Sequence, residues 1–381
     1  MRACRTLSGA IAFLVAQSLG AQSWGQNGIA VREIGGAGFL ARKINNSAQV
    51  AGSLNDVASV YDANTGLLHY VADAGAGKSY ATDINNVGQV VGYGYNSANT
   101  IARAFISDGG WTRDIGSLGG SSTFAFGINN VGQIVGYSFL PGDAALHAYI
   151  GDGVSLRDLG TFGGRYSNAH AINDRGTAVG YSYFPFDQLQ HAYTSSGGTM
   201  TDLGAFGPGM YSVAGDINNA GLVVGAGETA MTPDGDLISY RAFVSDGTSL
   251  RDLGTLGGGD SSAGAISDAG YIGGYATDIA NRFLGALWEQ SDTGYSIYSL
   301  QELVNQRSGT DGWFFDSIQD ISQDSRFILA YGGNTNTGAR GYYVLDAGEA
   351  PVTATPEPSA LLLLVTGFGM AGLWTFRRAR A

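Results

Sequence analysis

Seven Ile-Asn or Ile-Ser steps divide this chain into copies of one unit. They fall at Ile44-Asn45, Ile84-Asn85, Ile128-Asn129, Ile172-Asn173, Ile217-Asn218, Ile266-Ser267 and Ile321-Ser322, at intervals of 40, 44, 44, 45, 49 and 55 residues. A turn and a short apolar run ending near glycine follow each step, most clearly in Asn85-Asn-Val-Gly-Gln-Val-Val-Gly92 and Asn129-Asn-Val-Gly-Gln-Ile-Val-Gly136. After a linker of varying length comes a triplet: Arg103-Ala-Phe105, His147-Ala-Tyr149, His191-Ala-Tyr193 and Arg241-Ala-Phe243. Glycine turns then lead into Arg113-Asp-Ile-Gly116, Arg157-Asp-Leu-Gly160, Thr201-Asp-Leu-Gly204 and Arg251-Asp-Leu-Gly254. A unit of this size cannot bury both its faces alone, so its copies must stack.

Each unit reads as four short strands of period two separated by glycine turns. Within the body, only residues 300–306 offer a helical pattern. Four strands in about 44 residues make a propeller blade. An Asp-Leu-Gly-type strand stands alone at 29–34 before the first step, and the last unit stops at its third strand, Gly341–Leu345. Together they complete one blade. The expectation is an all-β, seven-bladed β-propeller of four-stranded blades over 29–346, closed by an N-terminal strand that completes the last blade. An open β-solenoid is the alternative, and it leaves the orphan strand unexplained. The 61 glycines follow no three-residue period and prolines number only 7, which excludes collagen; 44 % apolar residues suffice for a core.

Both termini read as addresses. Residues 1–23 form a signal peptide, with Arg2 and Arg5, the apolar run 7–19 and small residues at Gly20, Ala21 and Ser23; an uncleaved anchor is the alternative. The only cysteine, Cys4, lies in this segment, so the mature chain has no disulfide. At the other end a linker, 347–355, precedes Pro356-Glu357-Pro358, an uncharged transmembrane helix at 360–376, and Arg377, Arg378 and Arg380. That helix is at the short limit for a bilayer span, and the arginines put its end in the cytoplasm. These three parts, in this order, resemble the PEP-CTERM sorting tail of Gram-negative bacteria. The resemblance implies an exosortase-type transpeptidase as partner, transient residence in the inner membrane, and release to a cell surface rich in exopolysaccharide. A permanent single-pass anchor is the alternative. The body, about 30–346, resembles the HAF-repeat family of bacterial extracellular proteins, clearest over repeats two to six. Repeats one and seven depart, with Ser59-Val-Tyr61 and Gly341-Tyr-Tyr343 in place of the triplet. The resemblance implies export and a repeat fold, and no common activity.

The charge narrows the partners. The chain carries a net charge of −12, and its two addresses hold five of the 20 basic residues but only Glu357 of the 32 acids. The body is therefore strongly acidic, which argues against a nucleic-acid partner. His69, His147, His170 and His191 give no close metal-ligand pair. No nucleophile elbow, phosphate loop or dinucleotide fingerprint is present. The recurring Asp114, Asp158, Asp202 and Asp252 give one carboxylate per blade, which suits a turn better than a specialised acid pair. Calcium is a softer option at Pro233-Asp-Gly-Asp236 and Asp260, where a polar turn is preferred; no cofactor and no catalytic residue is assigned.

The linkers between second and third strands vary most, and surface loops on a rigid scaffold are where binding resides. Phe139 and Asp143, with Tyr183, Phe184, Phe186 and Asp187, offer aromatics beside carboxylates for stacking on sugar rings; the alternative is that the rings fill gaps between blades. The expected function is an exported surface or matrix module that binds exopolysaccharide or a matrix protein without catalysis. A polysaccharide hydrolase or lyase is the alternative, favoured if titratable groups unique to single blades converge on the central tunnel. A self-associating surface-layer component is a third reading.

Overall fold

The computed structural model describes residues 28–348 except 37, 73–74, 209 and 232–236. The signal peptide (1–23), the linker beyond 348, and the sorting tail with Pro356, Glu357, Pro358, the 360–376 helix, Arg377, Arg378 and Arg380 lie outside the described residues. Among those described, the strands form seven four-stranded antiparallel sheets, the blades of a β-propeller. Blade 1 runs from Phe39–Ile44 to Leu67–Tyr70, blade 2 from Ser79–Ile84 to Thr112–Asp114, and blade 3 from Thr123–Ile128 to Leu156–Gly160. Blade 4 runs from Ser167–Ile172 to Thr199–Asp202, blade 5 from Ser212–Ile217 to Arg251–Asp252, and blade 6 from Gly257–Ile266 to Gly294–Ser299. Blade 7 holds Trp313–Ile321, Phe327–Asn334 and Ala339–Asp346; the strand Ala30–Ile34 pairs along the outer edge of the last, with Arg32 opposite Val344. The helix Leu300–Arg307 falls where the 300–306 pattern places it. No helix among the described residues is long and apolar enough to cross a membrane.

The triplet explains how blades pack. Its alanine and its aromatic ring point to opposite faces of the third strand, as period two requires. Ala104 joins a cluster with Ala125, Ile128 and Tyr149 of blade 3, whereas Phe105 joins Ala51 and Ala58 of blade 1. The aromatic thus fills the gap toward the preceding blade, and the alanine leaves room for the next blade's aromatic. Tyr149, Tyr193 and Phe243 are fully buried in this way, each contributing about 2 kcal/mol of apolar burial. A glycine on the second strand admits the ring: a Cβ on Gly225 would lie 2.6 Å from Phe243 Cζ. Seven such clusters occur among the described residues, one per blade junction, including that between blades 7 and 1.

Each first strand, the innermost, carries a bulge just before the Ile-Asn step, as at Ala41/Lys43, Ala81/Asp83, Ala125/Gly127 and Ala214/Asp216. One extra residue bends the strand and re-aims the side chain that follows. At one end of the propeller lie the turns between first and second and between third and fourth strands. At the other, here the loop face, lie the loops between second and third strands and the connections from each fourth strand to the next blade.

Candidate functional site

Around the axis, the asparagine of each Ile-Asn step forms two bonds at once. Asn129 Oδ1 accepts from the Gln133 N–H at 2.8 Å, closing its own turn, while its Nδ2 donates to the Asn173 carbonyl of the next blade at 2.9 Å. Asn45, Asn85, Asn173 and Asn218 repeat both bonds. A carboxamide carries a donor and an acceptor on separate atoms of one short stem, so it can make both bonds at once. Where serine replaces it, Ser325 Oγ donates to Ser267 Oγ at 2.8 Å. A second belt runs alongside: Asn46 N–H donates to Asn86 Oδ1, Asn86 N–H to Asn130 Oδ1, and the relay continues through Asp174, Asn219 and Asp268; Asp268 N–H turns to the Gln323 carbonyl, and Asp324 N–H donates to Asn46 Oδ1.

Inside the belts the bulges bring Lys43, Asp83, Asp216 and Asp320 to the axis, with His170 beside them. Lys43 Nζ lies 2.9 Å from Asp320 Oδ1 and 3.4 Å from Asp216 Oδ2. Burial pulls its ammonium down, but Asp216, Asp320 and Asp83 outweigh this and hold it well above the usual range. Burial pushes Asp83 up to about 7 and Asp320 up to about 6, in both cases opposed by Lys43. Burial lowers His170, whose Nδ1–H donates to the Ala214 carbonyl at 2.8 Å. These groups escaped sequence reading, although a signal existed. The residue before the Ile step is Lys43, Asp83, Gly127, Ala171, Asp216, Ala265 or Asp320, a variable slot beside an invariant one.

The convergence is there, and its oxygens are occupied. Asp83 accepts from the N–H groups of Ile84 and Ile128, and Asp216 from those of Ile217 and Ile266 and from Lys43. Asp320 accepts from Lys43 and from the Ile44 N–H. Four of these six carboxylate oxygens thus staple one blade to another, and the other two close on the next residue of their own strand. The cavity they enclose is about 80 Å³, far below the roughly 300 Å³ at which small-ligand pockets begin.

On the loop face, the two sequence-selected loops are built alike. Asp143 accepts from the Ser121 N–H at 2.8 Å, and Asp187 from the Arg165 N–H at 2.7 Å and its Nε at 2.6 Å. These donors hold both carboxyls below the usual range. Each aspartate therefore clasps its loop to the connection entering its own blade. Tyr183 packs on Tyr166 and Tyr181, Phe139 on Tyr137, and Phe184 on Phe162 and His191. These three rings fill gaps. No ring contact joins Phe139 to the blade 4 aromatics among the described residues. Phe186 differs: it is 90 % exposed, at φ +71°.

The repeated aspartates do two things. Asp114, Asp158, Asp202 and Asp252 each accept at 2.7 Å from the N–H of the glycine two residues on. Asp158 and Asp202 also pair with His147 and His191, whose Nδ1–H groups donate at 2.8 and 3.0 Å, and Asp252 with Arg241 at 3.7 Å. This link between the triplet and the Asp-Leu-Gly signature, invisible along the chain, ties third strand to fourth. Asp260 accepts from the Tyr240 N–H; Pro233–Asp236 lie outside the described residues.

Neither a family model nor a curated protein matches the chain. Among solved structures it is similar to the β-propeller domain of the Trilobed protease from Pyrococcus furiosus, at 11 % identity, TM-score 0.49, covering 83 % of this chain and 97 % of that one. It is also similar to oligogalacturonate lyase from Vibrio parahaemolyticus (12 %, 0.38, 80 % and 76 %). A third is Aleuria aurantia lectin (13 %, 0.34, 71 % and 94 %). Likenesses this remote carry nothing about ligand or reaction.

Proposed function

We propose that this chain is an exported surface or matrix propeller that binds exopolysaccharide through its loop face without cleaving it. In this reading the C-terminal tail delivers it through an exosortase-type transpeptidase, after transient anchoring in the inner membrane. On this reading, the pairing of Ala30–Ile34 with the last strand closes the ring and covers what would be an open strand edge.

Phe186 carries the reading. A bulky residue in the left-handed region costs roughly 1–2 kcal/mol, and full exposure forfeits roughly 1.5–3 kcal/mol of burial. At the equivalent place in blade 3 the chain has Gly142, at φ +83°. No packing among the described residues repays the phenylalanine, which points to a return outside the fold. The Asp187–Arg165 clasp and the packing of Pro185 beneath Gly163 hold the ring out on a rigid stem. A ring so presented suits stacking on a sugar face. The test is calorimetric titration of the chain with exopolysaccharide from the producing organism, with polymer length followed in parallel. Saturable binding that Phe186→Ala weakens at least tenfold, without chain shortening, is the expected result. Failure to bind, or binding indifferent to Phe186, sinks the reading.

A polysaccharide-cleaving enzyme is the second reading, favoured by the convergence of Lys43, Asp83, Asp216 and Asp320, each unique to one blade, on the axis. Shortened chains that Asp83→Asn abolishes would establish it.

A further inference from the structure

Blades 2, 3 and 4 can be laid over one another by their own backbone bonds. Gly164 N–H donates to the Tyr183 carbonyl and Phe184 N–H to that of Leu189 in blade 4; Gly120 to Phe139 and Leu140 to Ala145 in blade 3; Gly77 to Tyr95 and Asn96 to Ile101 in blade 2. In blade 4, Phe162 and Phe184 lie 5.1 Å apart over the third strand, with His191 edge-on at 5.0 Å. Blade 3 has Leu118 and Leu140 at these two places. Blade 2 has Gly75 and Asn96. The two fillers are missing there, and the fold opens a groove of about 290 Å³.

The groove is more than a gap. Its apolar side is made by Tyr95, Ile101 and Phe105, and its polar side by Asn96, Arg103 and Asp114. Arg103 takes the slot of His191, and Asp114 that of Asp202. The sister pairs are joined, yet Arg103 and Asp114 form no ion pair among the described residues. Both are exposed. Nor can residue 75 supply the missing filler: at φ +154°, a Cβ there would lie 2.9 Å from the Tyr95 carbonyl oxygen. Asn96 is turned back on its own loop, accepting from the Thr100 N–H at 2.9 Å, which leaves the space clear.

We infer that this groove is a subsite for one pyranose ring, an inference resting on the glycan-binding reading above. A volume of about 290 Å³ admits a single ring, at the lower edge of small-ligand pockets. A pyranose presents an apolar C–H face and a rim of hydroxyls that both donate and accept. That matches an aromatic and aliphatic wall facing one donor-only guanidinium and one acceptor-only carboxylate. A purely apolar occupant would make no use of Arg103 and Asp114, and a phosphate has no C–H face for the wall of Tyr95, Ile101 and Phe105. A neutral sugar and a uronate share this chemistry; the uronate adds a forked bond from Arg103.

The test titrates the full chain, in detergent, with cellohexaose and with a glucuronate hexasaccharide. Asn96→Phe and Arg103→His install the residues that blade 4 already carries, so the fold is kept, as an unchanged melting midpoint checks. Either change is expected to weaken binding at least tenfold. A stronger effect of Arg103→His on the uronate than on cellohexaose identifies the uronate as the preferred ring; equal effects identify the neutral one. Binding unmoved by both variants but lost in Phe186→Ala overturns the subsite and leaves the loop-face reading standing. No binding of either sugar by a native chain that binds the producing organism's exopolysaccharide overturns the subsite alone, and no binding of that polymer either overturns both.

Discussion

The axis and the loop face are made from the same repeat, and they use it in opposite ways. At the axis five blades spend their asparagine on the same two bonds, and the second belt returns from blade 7 to blade 1 through Asp324 and Asn46. On the loop face the backbone clasps recur, but what they carry changes from blade to blade. Gly142 becomes Phe186, Phe162 becomes Gly75, and His191 becomes Arg103. Repetition marks what holds the ring together, and departure from it marks what faces outward. The axial charges test this rule. They depart from the repeat, yet their oxygens are bound into the frame.

The comparison breaks most visibly at Lys43. Replacing it with methionine leaves Asp216 and Asp320 facing each other without a cation. Removing one partner of a buried pair costs roughly 3–5 kcal/mol, and because the Lys43 side chain is 23 % exposed the lower end applies. The denaturant midpoint should fall accordingly. A variant as stable as the native chain would show that the charges are not part of the frame. Asn129→Asp comes next. The new carboxylate keeps the turn but has no donor for the Asn173 carbonyl, and roughly 1–3 kcal/mol should be lost. The same change at exposed Asn99 should cost far less.

How much of this was legible along the chain follows from the same contrast. Blade number, strand count and the turn-tying role of the aspartates were readable because each recurs with fixed spacing and each has a local cause. The Asn belts were not: a bond from residue 129 to residue 173 exists only once two blades stack. Lys43, Asp83, Asp216 and Asp320 were hidden by the bulge, because alternation counted along the strand assigns them to the wrong side. On the loop face the sequence singled out two loops and could not separate gap-filling Tyr183, Phe184 and Phe139 from outward Phe186, since all four are aromatic. It missed the blade 2 groove because that feature consists of absent side chains.

A pH titration sharpens the axial side. Asp83 and Asp320 have folded-state values of about 7 and about 6 against an ordinary 3.8. Between pH 4 and 7 the folded chain therefore holds protons that the unfolded chain has released. Where the folded state binds more protons, stability falls as pH rises. The melting midpoint should decline from pH 5 to pH 7 and level off above it. Asp83→Asn should flatten that decline, while losing one backbone acceptor and so starting lower. A native chain equally stable across this window would mean that the two carboxylates are ionised throughout, and that the axis is wetter than its geometry indicates.

The smallest effect on the fold is expected at Phe186. Replacing it with glycine removes an exposed ring and lets the backbone sit at φ +71° without a Cβ. The relief is about 1 kcal/mol, offset in part because glycine gives the unfolded chain more freedom, by up to about 1 kcal/mol. The midpoint should therefore stay within about 0.5 kcal/mol of native, or rise. The clasp from Asp187 to Arg165 should persist, because neither bond involves residue 186. A loss of 2 kcal/mol or more would mean that the ring packs on something after all, and the contrast between frame and face would fail where it is drawn most sharply. Stability kept and glycan affinity lost, in one variant, is the pattern that a residue maintained for an external partner must show.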